Sequence, residues 1–210
     1  MSSRLAWLVL AGVWFGAATA EAVPFTPRID FRSGDFASGN GLGTLTASAS
    51  GYSFELHALA EFDGVWTTRA ALSWSSQDGF GIKSRSYEDD EIEGNELLRL
   101  EFTAPVFLER VLVTDLFWER VKEVGSLSLD GGANWIDFYA DGRTNNGVVA
   151  VPLNAEVKSV LFSAAGKSGR GNHEFSLAGF DARQIAHSPE PGAGLLLSAG
   201  LIALARLRRR

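Results

Sequence analysis

The stretch Leu98-Arg99-Leu100-Glu101-Phe102 alternates three apolar residues with two charged ones. Successive side chains of a β-strand point to opposite faces of a sheet, so this period of two predicts a strand with one buried and one solvated face. The same alternation recurs at 43–48, 52–57 and 126–130. The repeated pattern predicts an all-β fold.

Turn signals separate the alternating runs from further strand candidates. Asp130-Gly131-Gly132 lies between two such runs and predicts a hairpin loop. A glycine-rich stretch at 34–43 is expected to be flexible, and Pro105 is expected to begin a strand. About nine or ten short strands at this spacing predict one β-sandwich domain of jelly-roll type over residues 23–186. The further strand candidates are 65–74, 106–113, 135–139, 148–153, 157–163 and 174–180.

The N-terminus has the three parts of a secretory signal peptide. Arg4 precedes an uncharged apolar run at 5–16, and two A-x-A cleavage sites end at Ala20 and Ala22. We therefore predict a signal helix over residues 1–22 and export of the chain. The alternative is a simple N-terminal anchor, but the run is shorter than the ~20 residues that span a bilayer.

The composition limits the classes of function. The chain has no cysteine, so neither disulfides nor thiolate metal sites are expected. Its formal net charge is −6, and without the five arginines of the two ends, at 4, 206 and 208–210, it becomes −11. Such an acidic domain argues against nucleic acid as a partner.

The C-terminal residues 187–210 form a linker and a three-part tail. Pro189-Glu190-Pro191 is followed by an apolar run at 192–205 that predicts a short transmembrane helix. Pro191 disfavours helix at Glu190, which leaves the motif extended. A basic end predicts that the terminus stays in the cytoplasm, while the β-domain lies outside. Its arginines are Arg206, Arg208, Arg209 and Arg210.

These three parts, in this order, resemble a PEP-CTERM sorting domain. The resemblance implies a Gram-negative host and an exosortase as partner, which would cleave near Pro189 to Pro191 after a transient stay in the inner membrane. It implies release to the cell envelope or to an extracellular exopolysaccharide matrix. The apolar run spans about 21 Å as a helix, against a hydrocarbon core of about 30 Å. This favours a temporary stop, and the alternative is a permanent anchor.

A weaker resemblance concerns the middle of the chain. Residues 78–82, 89–96 and 98–102 are similar to a glycine and acidic pattern of uncharacterised domains that precede PEP-CTERM tails. That resemblance implies a β-sandwich and adds little about activity.

The acidic run at 88–91 is the strongest candidate metal site. Asp89, Asp90 and Glu91 offer the carboxylate oxygens that calcium prefers outside the cell. The run does not fit an EF-hand, because Leu100 stands where that loop requires a glutamate. The alternative is a solvated acidic loop. No motif predicts another cofactor.

The tryptophans are candidate sugar-stacking residues. Trp118 and Trp135 lie beside charged residues or turns, so we expect both to be partly exposed and available to a carbohydrate ring. The alternative is that they fill the core, as large aromatic residues commonly do.

No catalytic motif is evident. The chain lacks G-x-S-x-G, His173-Glu174 lacks the second histidine of a zinc helix, and Ala165 to Ser168 does not fit a phosphate-binding loop. We therefore expect a non-enzymatic protein of the envelope or the exopolysaccharide matrix. The alternatives are a carbohydrate-binding module, stabilised by calcium, and a secreted hydrolase that uses two carboxylates or a triad built in space from His57 or His173.

Overall fold

A computed structural model describes residues 28–63, 65–84, 91–118, 122–140, 147–164 and 173–185. The predicted signal peptide and the predicted sorting tail lie outside these residues, as do Asp89 and Asp90. Within the described ranges, no helix is long and apolar enough to cross a membrane.

The described part of the chain is mostly β-strand, which confirms the all-β prediction. A single 3₁₀-helix at Gly34–Gly39 is the only helix among the described residues. The strands are β1 (Ile29–Asp30), β2 (Thr44–Ala49), β3 (Tyr52–Phe62), β4 (Val65–Thr67), β5 (Ala71–Ser75), β6 (Gly79–Lys83), β7 (Ile92–Glu93), β8 (Glu96–Thr114), β9 (Val124–Ser128), β10 (Ile136–Tyr139), β11 (Val149–Ser163) and β12 (Glu174–Gln184).

The strands join in one sheet that is curled into a half-barrel. Its main order is β10-β9-β11-β8-β12-β6-β5, with β2, β3 and β4 attached through β8. Strand β8 is central: β11 pairs along one of its edges, while β3 and then β12 pair along the other. All strand pairs are antiparallel. The jelly-roll arrangement stays a prediction.

Pro105 lies inside a strand and does not begin one, which corrects the prediction. The two predicted strands 98–102 and 106–113 are halves of the 19-residue β8. Their register against β11 passes from Glu101↔Ser159 to Val106↔Val157, so four residues of β8 oppose one residue of β11. This bulge removes Pro105 from the regular ladder, where its missing N–H would cost a hydrogen bond.

Three other local predictions need correction. The predicted strands 148–153 and 157–163 are parts of one strand, β11. The predicted strand 65–74 is two strands, β4 and β5, separated by a turn. The glycine-rich stretch 34–43, expected to be flexible, holds the 3₁₀-helix, which Ser33 caps by accepting the Asp35 N–H. The side chain of Phe36 is buried in the core, and this burial anchors the short helix.

An aromatic cluster fills the concave side of the sheet. Phe180 of β12 meets Phe54 of β3 at 5.6 Å and Phe102 of β8 at 5.3 Å between ring centroids, both in edge-to-face geometry. Phe31 meets the same Phe180 ring at 5.7 Å. Strands that are distant in the chain are therefore held together by one set of buried rings, because such pairs add to the free energy of burial.

Candidate binding surface

Four side chains around β10 form what we call the aromatic surface: Trp118, Lys122, Trp135 and Tyr139. The three rings are 39%, 42% and 44% exposed, respectively. Trp118 and Trp135 are thus partly exposed, as expected from their neighbours in the sequence. Trp118 and Tyr139 both contact Lys122, and exposed apolar side chains that lie close together mark interaction sites, so this part of the fold is the candidate site.

Lys122 joins two of the rings. Its ammonium lies 5.2 Å from the centroid of Trp118 and 5.1 Å from that of Tyr139, within the range of a cation–π contact. An isolated antiparallel bridge pairs Trp118 with Lys122. The Glu123 N–H donates to the Phe117 carbonyl at 3.1 Å and closes the same short loop. The backbone therefore fixes the lysine beside the rings.

Strand β10 sets the direction of the remaining rings. Phe138 points into the core, where it meets Phe175 at 5.1 Å between ring centroids. Side chains alternate along a strand, so Asp137 and Tyr139 lie on the opposite face, which Trp135 enters just before the strand. Asp137 accepts a hydrogen bond from the Ser126 hydroxyl at 2.8 Å. Trp135 and Tyr139 are four residues apart, about 13 Å along an extended strand.

The hairpin loop that precedes Trp135 is organised by Asp130. Its carboxylate accepts hydrogen bonds from the Ser128 hydroxyl at 2.8 Å, the Asn134 N–H at 2.9 Å and the Asn134 side-chain amide at 2.6 Å. These donors, the Asn134 amide first, lower the pKa of Asp130 to about 2 from its ordinary 3.8. The predicted hairpin at Asp130-Gly131-Gly132 is confirmed, with β9 and β10 paired on either side.

Replacing Asn134 by alanine should raise the pKa of Asp130 toward 3.8, because the largest cause of the shift is removed. In the unmodified protein, the lowered pKa contributes stability that is present above pH 3.8 and is lost as the pH falls through about 2. An NMR titration of the Asp130 carboxyl carbon measures the change. Asn95→Ala, in a different turn, should leave the value near 2. A pKa that stays near 2 in Asn134→Ala would contradict this account of the loop.

Of the three predicted calcium ligands, the structure describes Glu91. Glu91 is half-buried and its backbone carbonyl accepts the Ile82 N–H at 3.1 Å, beside the short strand β7. Its predicted partners Asp89 and Asp90 lie outside the described residues. Among the residues described, no three acidic or histidine side chains converge as metal ligands. Calcium binding stays a prediction.

The described histidines do not form a triad with a serine and an aspartate. His57 lies on the outer face of the sheet, where Nδ1 is 3.1 Å from the Thr44 hydroxyl and Nε2 is 3.2 Å from Glu55. Burial first, and then the charge of Arg99, lower the pKa of His57. His173 accepts the Val124 N–H at Nδ1. His187 and the stretch 165–168 lie outside the described residues.

A cleft of about 360 Å³ opens where β3 and β12 separate along the same edge of β8. Its walls include Tyr52, Pro105 and Gln184. The Gln184 side-chain amide donates to the Gly51 carbonyl at 3.0 Å across the opening. The cleft depends on the bulge in β8. This bulge results from the pairing of β8 with β11, which the alternation of apolar and polar residues in the sequence does not reveal.

Sequence reasoning also missed two members of the aromatic surface. Tyr139 was treated as an ordinary strand residue, although its alternation with Phe138 could have indicated an outward ring. Lys122 carried no local signal, because its contacts arise from the pairing of Trp118 with Lys122 in the folded chain. Comparisons with known proteins assign nothing to the surface: no family profile matches the chain, and no curated protein matches it.

Proposed function

We propose that the chain is an exported, non-enzymatic protein of the cell envelope or the exopolysaccharide matrix. Its PEP-CTERM tail would deliver it by way of an exosortase and the inner membrane. The observation that carries this proposal is the order of motif, apolar run and arginines in residues 187–210, behind the signal sequence of residues 1–22. The delivered part would be the β-domain of residues 23–186, which we propose to be a sandwich of jelly-roll type.

Replacing both Pro189 and Pro191 by alanine should keep the protein in the membrane fraction. Without the prolines, helix can continue through Glu190, and the segment that a protease must bind in extended form is lost. Cell fractionation with an antibody to the β-domain measures the released share. The matched control is Pro152→Ala, since Pro152 is exposed in β11 of the domain. Equal release of the double variant and the control would contradict sorting through this motif.

We propose as a second function that the aromatic surface binds a polysaccharide. The observation that favours it is the set of three exposed rings, two of which flank Lys122. The apolar face of a sugar ring packs on an aromatic ring and is released from water by doing so. Trp135, just before β10, and Tyr139, at its end, lie about 13 Å apart along the extended chain, which is more than one sugar residue could cover. We therefore expect a chain of sugars to bind more tightly than a single sugar.

Trp118→Ala and Tyr139→Ala should each weaken polysaccharide binding about fivefold, which corresponds to roughly 1 kcal/mol of lost stacking. Affinity electrophoresis of the purified protein in exopolysaccharide from the producing cells measures this. Trp66→Ala is the matched control, because Trp66 is a tryptophan that is 42% exposed on β4, away from β10. A loss of the same size in all three variants, or in none, would contradict a binding site at the aromatic surface.

A further inference from the structure

Lys122 lies against two aromatic rings of the aromatic surface. Its side chain is exposed, and its ammonium lies just over 5 Å from two ring centroids. Among the described residues, no carboxylate lies within 4.0 Å of it. An ammonium has three N–H donors, and two ring contacts leave at least one directed to solvent. The aromatic surface thus presents a positive donor beside its stacking rings.

Two described acidic residues have hydrogen-bond donors of their own: Glu123, next to Lys122 in the chain, and Asp137, two residues before Tyr139. The carboxylate of Glu123 accepts the Phe117 N–H, and that of Asp137 accepts the Ser126 hydroxyl at 2.8 Å. The many other carboxylates make the domain acidic as a whole, which repels a polyanion at long range. At physiological salt such charges are screened over about 8 Å. Among the described residues of the aromatic surface, Lys122 carries the only positive charge, so a ligand in contact with the rings lies close to that charge.

We propose that the aromatic surface selects a carboxylate-bearing polysaccharide, whose carboxylate pairs with Lys122 while its sugar rings stack on Trp118 and Tyr139. This inference rests on the proposed polysaccharide binding and adds the chemical class of the ligand. The physical reason is that a hydrogen bond from an ammonium to a carboxylate joins two opposite charges, whereas one to a sugar hydroxyl has a charge on the donor alone. A neutral polysaccharide would offer Lys122 only hydroxyl acceptors.

The test compares each acidic polymer with its own neutral form. Polygalacturonate, alginate and hyaluronate are each used intact and after reduction of their carboxylates to primary alcohols, and biolayer interferometry measures their binding to the full exported protein. We expect at least one intact polymer to bind about tenfold more tightly than its reduced form. Lys122→Met should abolish that difference, because it removes the ammonium whose pairing with a carboxylate only the intact polymer can make. Lys122→Arg should preserve the difference.

The remaining outcomes distinguish a failure of this inference from a failure of the proposed polysaccharide binding. Lys158→Met removes an exposed lysine of β11 and should change neither affinity. Equal binding of intact and reduced polymers, or a preference that survives Lys122→Met, overturns the acidic class but leaves polysaccharide binding standing. Failure of every polymer to bind, in both forms, overturns both. Near-ultraviolet circular dichroism verifies that each variant keeps the native fold.

Discussion

Replacing Phe180 by alanine should lower the free energy of unfolding by about 3–5 kcal/mol, the range for a large buried aromatic residue. The side chain of Phe180 is fully buried. Its ring contacts Phe54 at 5.6 Å, Phe102 at 5.3 Å and Tyr52 at 6.3 Å between centroids. The cavity would therefore form where three strands of the curled sheet meet, and few of the surrounding rings could collapse into it.

Urea unfolding followed by tryptophan fluorescence measures the effect of Phe180→Ala. Phe180→Leu should cost less, because it keeps much of the buried volume. Val65→Ala is the surface control: Val65 is 60% exposed, so its replacement should change the free energy by no more than about 0.5 kcal/mol. A loss below about 1 kcal/mol in Phe180→Ala would show that this cluster does not hold the sheet together.

Replacing Gly79 by alanine should cost about 3 kcal/mol or more, from backbone strain and overpacking combined. Gly79 begins β6 with φ of +99°, a conformation that side chains rarely adopt. A Cβ atom there would lie 2.4 Å from the Leu177 carbonyl oxygen and 2.8 Å from the Ala178 Cα. Both neighbours are backbone atoms of β12, so relief requires the two strands to move apart.

Gly41→Ala separates strain from the steric clash. Gly41 has a similar φ of +81°, but a Cβ atom there would meet no heavy atom within 4 Å. We expect it to cost only the conformational part, about 1–2 kcal/mol. Thermal and urea unfolding of both variants give the comparison. Equal losses at the two positions would contradict the close approach of β6 to β12.

The strand faces could be predicted from the sequence because burial on one side imposes alternation. Leu56 and Leu100 were both expected to point inward, and they pair directly across β3 and β8. The hairpin at 130–132 was predictable because its turn residues have local conformational preferences. These features depend on neighbours in the chain, which is why a single sequence reveals them.

Features set by distant pairing could not be predicted. The bulge at Pro105 exists because β11 pairs with both halves of β8 in different registers. Strand β6 was missed, since Gly79-Phe80-Gly81-Ile82 has little polar alternation and is buried on both faces. At the site, the exposure of Trp118 and Trp135 followed from their polar neighbours. The position of Lys122 between two rings followed only from the folded loop.

The proposed delivery of the β-domain requires removal of both the signal peptide and the tail. The most direct test is the intact mass of the protein recovered separately from the medium and from membranes. We expect a released species that begins after Ala20 or Ala22 and ends within Pro189 to Pro191. A membrane-bound species that still carries Arg210, with no shorter form in the medium, would contradict sorting and show a permanent anchor instead.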